Sequence, residues 1–126
     1  RLTDSSKTKT GMVLGTPSYM SPEQLAGQKI EGRSDLFSLA VSLYQMLCGK
    51  LPFQGESMAQ LMFKIANEPP IEILSVNPDV PPRMRAFLLR ALAKNPDERF
   101  QTGEEFGGAL RAALSGKSET KVDIQL

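Results

Sequence analysis

Residues 35–48 read DLFSLAVSLYQMLC, and this segment predicts the helix around which the rest of the chain packs. In an α-helix of this sequence, apolar side chains occur on nearly every side, and such a helix belongs inside a larger body. Ser34 or Asp35 can cap the start of this helix, and Gly49 can end it. The segment therefore predicts a central helix with other elements packed around it.

Three amphipathic helices are predicted downstream, because apolar residues recur there every three or four positions. These positions are Met58, Leu61, Met62 and Ile65; Met84, Phe87, Leu88, Ala91 and Leu92; and Phe106, Ala109, Leu110 and Ala113. A short helix over residues 22–26 is predicted upstream, with Ser21 as its N-cap. Thr102 and Glu105 stand in capping-box spacing before the last helix. Residues 71–76 lack the alternation of a strand, so we expect an all-α fold class.

Charge and composition argue against several kinds of partner and site. The 126 residues include 15 basic and 14 acidic side chains, so neither nucleic acid nor an anionic membrane is expected as a partner. There is no histidine and one cysteine, which excludes a His-based acid–base pair and an imidazole or thiolate metal site. The longest apolar run, residues 36–48, is too short to span a bilayer. The single cysteine fits a reducing compartment, and we expect a cytoplasmic location.

Four short motifs occur one after another along the chain. They are GTPSYMSPE at residues 15–23, RSDLFSL at 33–39, GKLPF at 49–53 and NPDER at 95–99. In this order and spacing they resemble the C-terminal lobe of a eukaryotic-like, bacterial-type Ser/Thr protein kinase. The resemblance implies that residues 1–114 belong to the C-lobe, with an activation segment and substrate-pocket loop at 1–27 and a helical subdomain at 34–114. Residues 115–126 would then be a linker or a disordered tail.

The resemblance also implies which residues meet the protein substrate. The substrate pocket would include Gly15, Thr16, Pro17, Tyr19 and Met20. Thr16 resembles the threonine that supports catalysis by contacting the catalytic aspartate and lysine of such kinases. Ordinary turn chemistry is the alternative explanation for this run of residues.

Five further residues are given regulatory or structural roles by the same resemblance. Thr8 and Thr10 are candidate autophosphorylation sites, with an incidental polar loop as the alternative. Glu23 and Arg99 resemble a buried ion pair that ties the activation segment to the last helices, with two unrelated surface charges as the alternative. Asp35 resembles an aspartate that accepts hydrogen bonds from the catalytic-loop backbone. The alternative is a carboxylate in the first turn of a helix, where it interacts favourably with the helix dipole and has no further role.

The sequence contains neither a Gly-rich phosphate loop nor an Asp-Phe-Gly motif, and a kinase needs such parts to hold ATP and Mg²⁺. It opens on Arg1 without methionine, so we expect a piece of a longer kinase. That parent would use ATP and Mg²⁺ to phosphorylate Ser/Thr of protein substrates. The piece alone would bind no cofactor and have no activity. A pseudokinase or interaction module is the alternative, and the intact-looking activation segment favours an active parent.

The central helix also leads to an expectation about association. Its apolar faces would be covered by the catalytic loop and a neighbouring helix in a whole kinase, so this piece should expose them. We therefore expect a homodimer or an exchange of residues 1–27 between copies. A membrane anchor of the parent beyond residue 126 is compatible with the sequence.

Overall fold

The computed structural model describes residues 17–115, and every regular element within them is helical. The helices are α1 Pro22–Leu25, α2 Gly32–Cys48, α3 Met58–Asn67, α4 Ile73–Val76, α5 Pro82–Ala91 and α6 Gly103–Ser115. Two 3₁₀ turns, Pro17–Tyr19 and Pro96–Glu98, precede α1 and α6. The predicted all-α class is confirmed for the described residues, which contain no strand.

The predicted start of α1 and the predicted end of α2 are confirmed. The Ser21 side chain accepts a hydrogen bond from the Gln24 N–H, and the Gln24 side chain accepts one from the Ser21 N–H. This reciprocal capping box starts α1. Gly49 has φ +80° and closes α2, a left-handed conformation that glycine adopts without steric cost.

The start of α2 differs from the prediction. Its N-cap is Glu31, whose carboxylate accepts a hydrogen bond from the Arg33 N–H at 3.0 Å. Ser34 and Asp35, predicted as caps, lie inside the first turn, and Ser34 is fully buried. The prediction was wrong because Glu is not a favoured cap and Gly32 reads as a helix breaker.

The core lies between one face of α2 and the helices that follow it. Phe37, Ala40, Val41 and Tyr44 form the buried face of α2. The downstream helices bury most of the residues that were predicted from their spacing, namely Leu61 and Ile65 of α3, Met84, Phe87, Leu88 and Ala91 of α5, and Phe106 and Ala113 of α6. Met58 and Met62 of α3 were predicted on the same apolar face but are exposed. Helix α4 was not predicted, and it buries Ile73 in the same core.

Three aromatic rings join α5 to α6. The ring centroid of Phe87 lies 5.1 Å from that of Phe100 and 5.0 Å from that of Phe106.

The predicted Thr102 cap of α6 is present. Thr102 accepts a hydrogen bond from the Glu105 N–H at 3.0 Å. The Glu105 carboxylate, however, accepts one from the Gln101 N–H and not from the Thr102 N–H expected in a capping box.

A second face of α2 carries exposed apolar side chains. Met46 is 82% exposed and Leu39 is 49% exposed, with the half-buried Leu43 between them. The expectation that the central helix exposes apolar surface is therefore met by the described residues. None of the helices within residues 17–115 has the length and apolar character needed to cross a membrane.

Candidate functional site

Glu23 and Arg99, which are 76 positions apart in the sequence, meet in the protein interior. Arg99 Nη1 lies 2.7 Å from Glu23 Oε2, and Arg99 Nη2 lies 2.9 Å from Glu23 Oε1. The Arg99 side chain is 1% exposed and that of Glu23 is 8% exposed. Two parallel bonds between a planar guanidinium and a carboxylate fix orientation as well as distance.

The remaining donors of Arg99 bind backbone carbonyl groups. Nε donates to Ala93 at 2.7 Å, Nη1 to Arg33 at 3.1 Å and Nη2 to Lys94 at 3.0 Å. All five N–H donors of the guanidinium are therefore used. One side chain connects α1, the start of α2 and the turn before α6.

The Glu23 carboxylate has a third donor, Ser34 of α2. Ser34 Oγ donates to Glu23 Oε2 at 2.5 Å, and this serine has no exposed surface. Burial raises the pKa of the Glu23 carboxyl, but the hydrogen bonds from Arg99 and Ser34 outweigh burial and lower the pKa to about 2. Glu23 is thus a permanently charged structural group at neutral pH and is unsuited to act as a general base.

A second, exposed ion-pair network lies beside the buried pair. Arg33 binds Glu31 at 2.6 Å and Asp97 at 2.7 Å, and it also donates to Gln101. The hydrogen bonds from Arg33 lower the pKa of Glu31 to about 2. Because these groups are solvated, each pair contributes little to stability compared with a buried one.

The predicted substrate-pocket residues that the structure describes lie against α2. Pro17 and Tyr19 bound a 3₁₀ turn, and Met20 follows it with a half-buried side chain. The Tyr19 hydroxyl donates to Gln45 of α2 at 2.5 Å. The predicted pocket loop is thereby attached to the central helix, immediately before the segment that contains Glu23.

Four of the predicted site residues lie outside the described residues. They are the substrate-pocket residues Gly15 and Thr16 and the candidate phosphorylation sites Thr8 and Thr10. Asp35 is exposed in the first turn of α2. No group of three histidine, cysteine or acidic side chains that could hold a metal ion occurs within residues 17–115.

The sequence pattern did not reveal every residue that holds this site together. Ser38 and Gln45 read as polar breaks in an apolar helix and Ser34 as a helix cap, whereas all three bind the segment 17–23. Their spacing of four and seven residues places them along one side of α2, which is the signal that could have identified them. The arrangement holds a loop in place against the central helix.

The sequence was also compared with known protein families and proteins. The protein kinase domain family matches residues 1–106. Serine/threonine-protein kinase PksC of Streptomyces coelicolor is 44% identical over 107 residues, which cover 84% of this chain and 19% of PksC. PknB of Mycolicibacterium smegmatis is 40% identical over 116 residues, covering 92% of this chain and 19% of PknB. Pkn1 of Myxococcus xanthus is 41% identical over 109 residues, covering 86% of this chain and 16% of Pkn1.

These matches agree with the geometry of the site. The family match includes both members of the buried Glu23–Arg99 pair and the loop that the pair secures. The chain spans about a fifth of the length of these relatives. With most of its residues matched and two of these relatives above 40% identity, the chain belongs to the protein kinase family and forms a helical part of its C-terminal lobe.

Proposed function

We propose that the whole protein transfers the γ-phosphate of ATP, bound with Mg²⁺, to Ser/Thr hydroxyl groups of protein substrates. The observation that carries this proposal is the buried Glu23–Arg99 pair, which ties the segment 17–23 to the turn before α6. Hydrogen bonds from Arg99 to the Arg33 carbonyl and from Ser34 to Glu23 join the same pair to the central helix. Phosphoryl transfer depends on positioning of the reactants, and a loop that presents a peptide must itself be held rigidly. The kinase names of the relatives point to the same chemistry.

Within that reaction, this chain would position the protein substrate. Residues 1–27 are proposed to form the activation segment and the substrate-pocket loop, and residues 34–114 the helical subdomain that supports them. The substrate pocket would be formed by Gly15, Thr16, Pro17, Tyr19 and Met20. Thr16 would also contact the catalytic aspartate.

Asp35 is proposed to accept hydrogen bonds from the catalytic-loop backbone of the whole kinase. It lies in the first turn of α2, and its side chain is exposed and accessible to such a partner.

The catalytic base and the metal ligands would come from outside these 126 residues. We therefore expect the 126-residue chain alone to bind no MgATP and to transfer no phosphate, which a thermal-shift assay with MgATP would test.

Autophosphorylation of Thr8 and Thr10 provides the direct test of the proposed activity. We expect mass spectrometry of the whole kinase, after incubation with MgATP, to find phosphate on one or both threonines. A phosphate adds about −1.5 to −2 charges and can order a loop by pairing with arginine. A Thr8→Ala/Thr10→Ala variant is the matched control and should lose this modification while keeping its fold.

Two results would contradict the proposal. Absence of phosphate on residues 3–10, with a generic protein substrate also unmodified, would overturn the proposed kinase activity. Phosphate on the substrate but not on residues 3–10 would leave the activity intact and remove the regulatory role of Thr8 and Thr10.

The exposed apolar face of α2 supports a proposal about the isolated chain. Leu39, Leu43 and Met46 line this face, and apolar patches of this kind promote association. We expect sedimentation of the 126-residue chain to show a concentration-dependent dimer, and Met46→Lys to shift it toward monomer. A sedimentation coefficient that is independent of concentration would contradict this expectation.

A further inference from the structure

The loop from Pro17 to Met20 depends on α2 for its shape. Its internal hydrogen bond in the described structure runs from the Met20 N–H to the Pro17 carbonyl at 3.1 Å. Proline has no N–H to donate, so the loop can form few hydrogen bonds within itself. The bonds that hold the rest of the loop therefore come from another element.

Two side chains of α2 hold Tyr19 at its two ends. Ser38 Oγ donates to the Tyr19 carbonyl oxygen at 2.5 Å. The Tyr19 hydroxyl donates to Gln45 Oε1, also at 2.5 Å. Ser38 and Gln45 are seven residues apart, which is about two helical turns or roughly 10 Å along the axis. Tyr19 consequently lies lengthwise on α2.

The acceptor of the Ser38 hydroxyl differs from the one that a serine within a helix usually has. A serine within a helix commonly donates to the carbonyl of the preceding turn. Ser38 donates instead to Tyr19, and Ser34, one turn earlier, donates to Glu23. The polar stripe of α2, defined as Ser34, Ser38 and Gln45, therefore faces the segment 17–23.

The position of Met20 follows from these anchors. Tyr19, on one side of it, is bound to the polar stripe of α2. On the other side, the Ser21 N–H donates to the Gln24 side chain at 2.8 Å, and Ser21 has no exposed surface. Met20 thus has a fixed residue on each side, and its backbone position is set by both.

We propose that Ser38 is a positioning residue for the substrate pocket, holding Tyr19 on α2 together with Gln45 so that Met20 is correctly placed for the peptide. This inference rests on the proposed function, since the pocket has a meaning only if the whole protein phosphorylates peptides. Ser38 would act through Tyr19 and would not touch the substrate. Loss of its hydroxyl would leave the Tyr19 carbonyl without this donor.

The test compares Ser38→Ala with Ser42→Ala in the whole kinase. Ser42 lies one turn further along α2 and is also half-buried, but within the described residues it makes no hydrogen bond to the segment 17–23. We expect Ser38→Ala to raise the peptide KM by about 3- to 10-fold, the effect of losing one hydrogen bond, with the KM for ATP unchanged. Ser38→Thr retains the hydroxyl and should restore the peptide KM to within about twofold of the wild-type value.

Hydrogen exchange provides a second measurement that does not depend on activity. Amides of residues 19–25 should exchange about 3- to 10-fold faster in Ser38→Ala than in wild type or Ser42→Ala. Unchanged exchange in Ser38→Ala would overturn the inference, whatever the activity. Faster exchange with an unchanged peptide KM in an active enzyme would also overturn it. A wild-type kinase that phosphorylates no peptide would overturn the proposed function and, with it, the substrate role of Ser38.

Discussion

Replacing Arg99 by alanine is expected to destabilise the protein by about 3–5 kcal/mol, because it leaves the Glu23 carboxylate buried without its counter-charge. The loss also removes donors from three backbone carbonyl groups, those of Arg33, Ala93 and Lys94. The guanidinium carbon lies 4.8 Å from the centre of the Phe37 ring, so packing is lost as well. The free energy of unfolding from urea denaturation, followed by circular dichroism, measures the effect.

Two further variants separate the ion pair from general damage to the core. Arg33→Ala removes two solvated ion pairs close to the same place, those with Glu31 and Asp97, and should cost only about 1 kcal/mol. A Glu23→Leu/Arg99→Met double variant removes both charges and should be less destabilised than Arg99→Ala alone. Equal melting temperatures for Arg99→Ala and wild type would contradict the prediction, as would a double variant that is worse than the single one.

The resemblance to the protein kinase C-lobe is what made the Glu23–Arg99 pair predictable. Neither residue stands out alone, since a single Glu and a single Arg are usually solvated. Their places within GTPSYMSPE and NPDER resemble those of a buried kinase ion pair, and that resemblance implied the contact across 76 positions. The helices themselves were predictable because most of their regularly spaced apolar residues lie on the faces that the structure buries.

The residues that were missed are those whose role depends on a distant partner. Ser34 resembled a cap, yet its hydroxyl binds a carboxylate 11 positions earlier. Lys94 reads as a solvated charge, but its Nζ donates to the carbonyls of Lys64 and Ile65 and lies 4.2 Å from the centre of the Phe53 ring. Burial, with the neighbouring Arg99 charge, lowers the pKa of Lys94 to about 8. No local pattern specifies which carbonyl groups such a side chain will reach.

Acidification is expected to remove about 3 kcal/mol of stability as the Glu23 carboxylate becomes protonated. The pKa of this group is about 2 in the folded protein, compared with a usual value of 4.5, so the folded state holds its proton less tightly than the unfolded chain. The stabilisation is complete above about pH 5 and is lost progressively as the pH falls toward 2, because the unfolded state then binds more protons. Urea denaturation at a series of pH values measures this loss.

The control must separate Glu23 from Glu31, since hydrogen bonds from Arg33 also lower the pKa of Glu31 to about 2. The pair formed by Glu31 is exposed, and at 1 M salt the screening length is only about 3 Å, so its contribution to stability should largely disappear there.

The buried Glu23–Arg99 pair is screened much less and should keep its effect on stability. In 1 M NaCl, Glu31→Gln should therefore follow the wild-type curve, whereas the Glu23→Leu/Arg99→Met variant should lose less stability on acidification. If that double variant and wild type lose stability equally between pH 5 and pH 2, Glu23 is not the group responsible, and the low pKa assigned to its carboxyl is wrong.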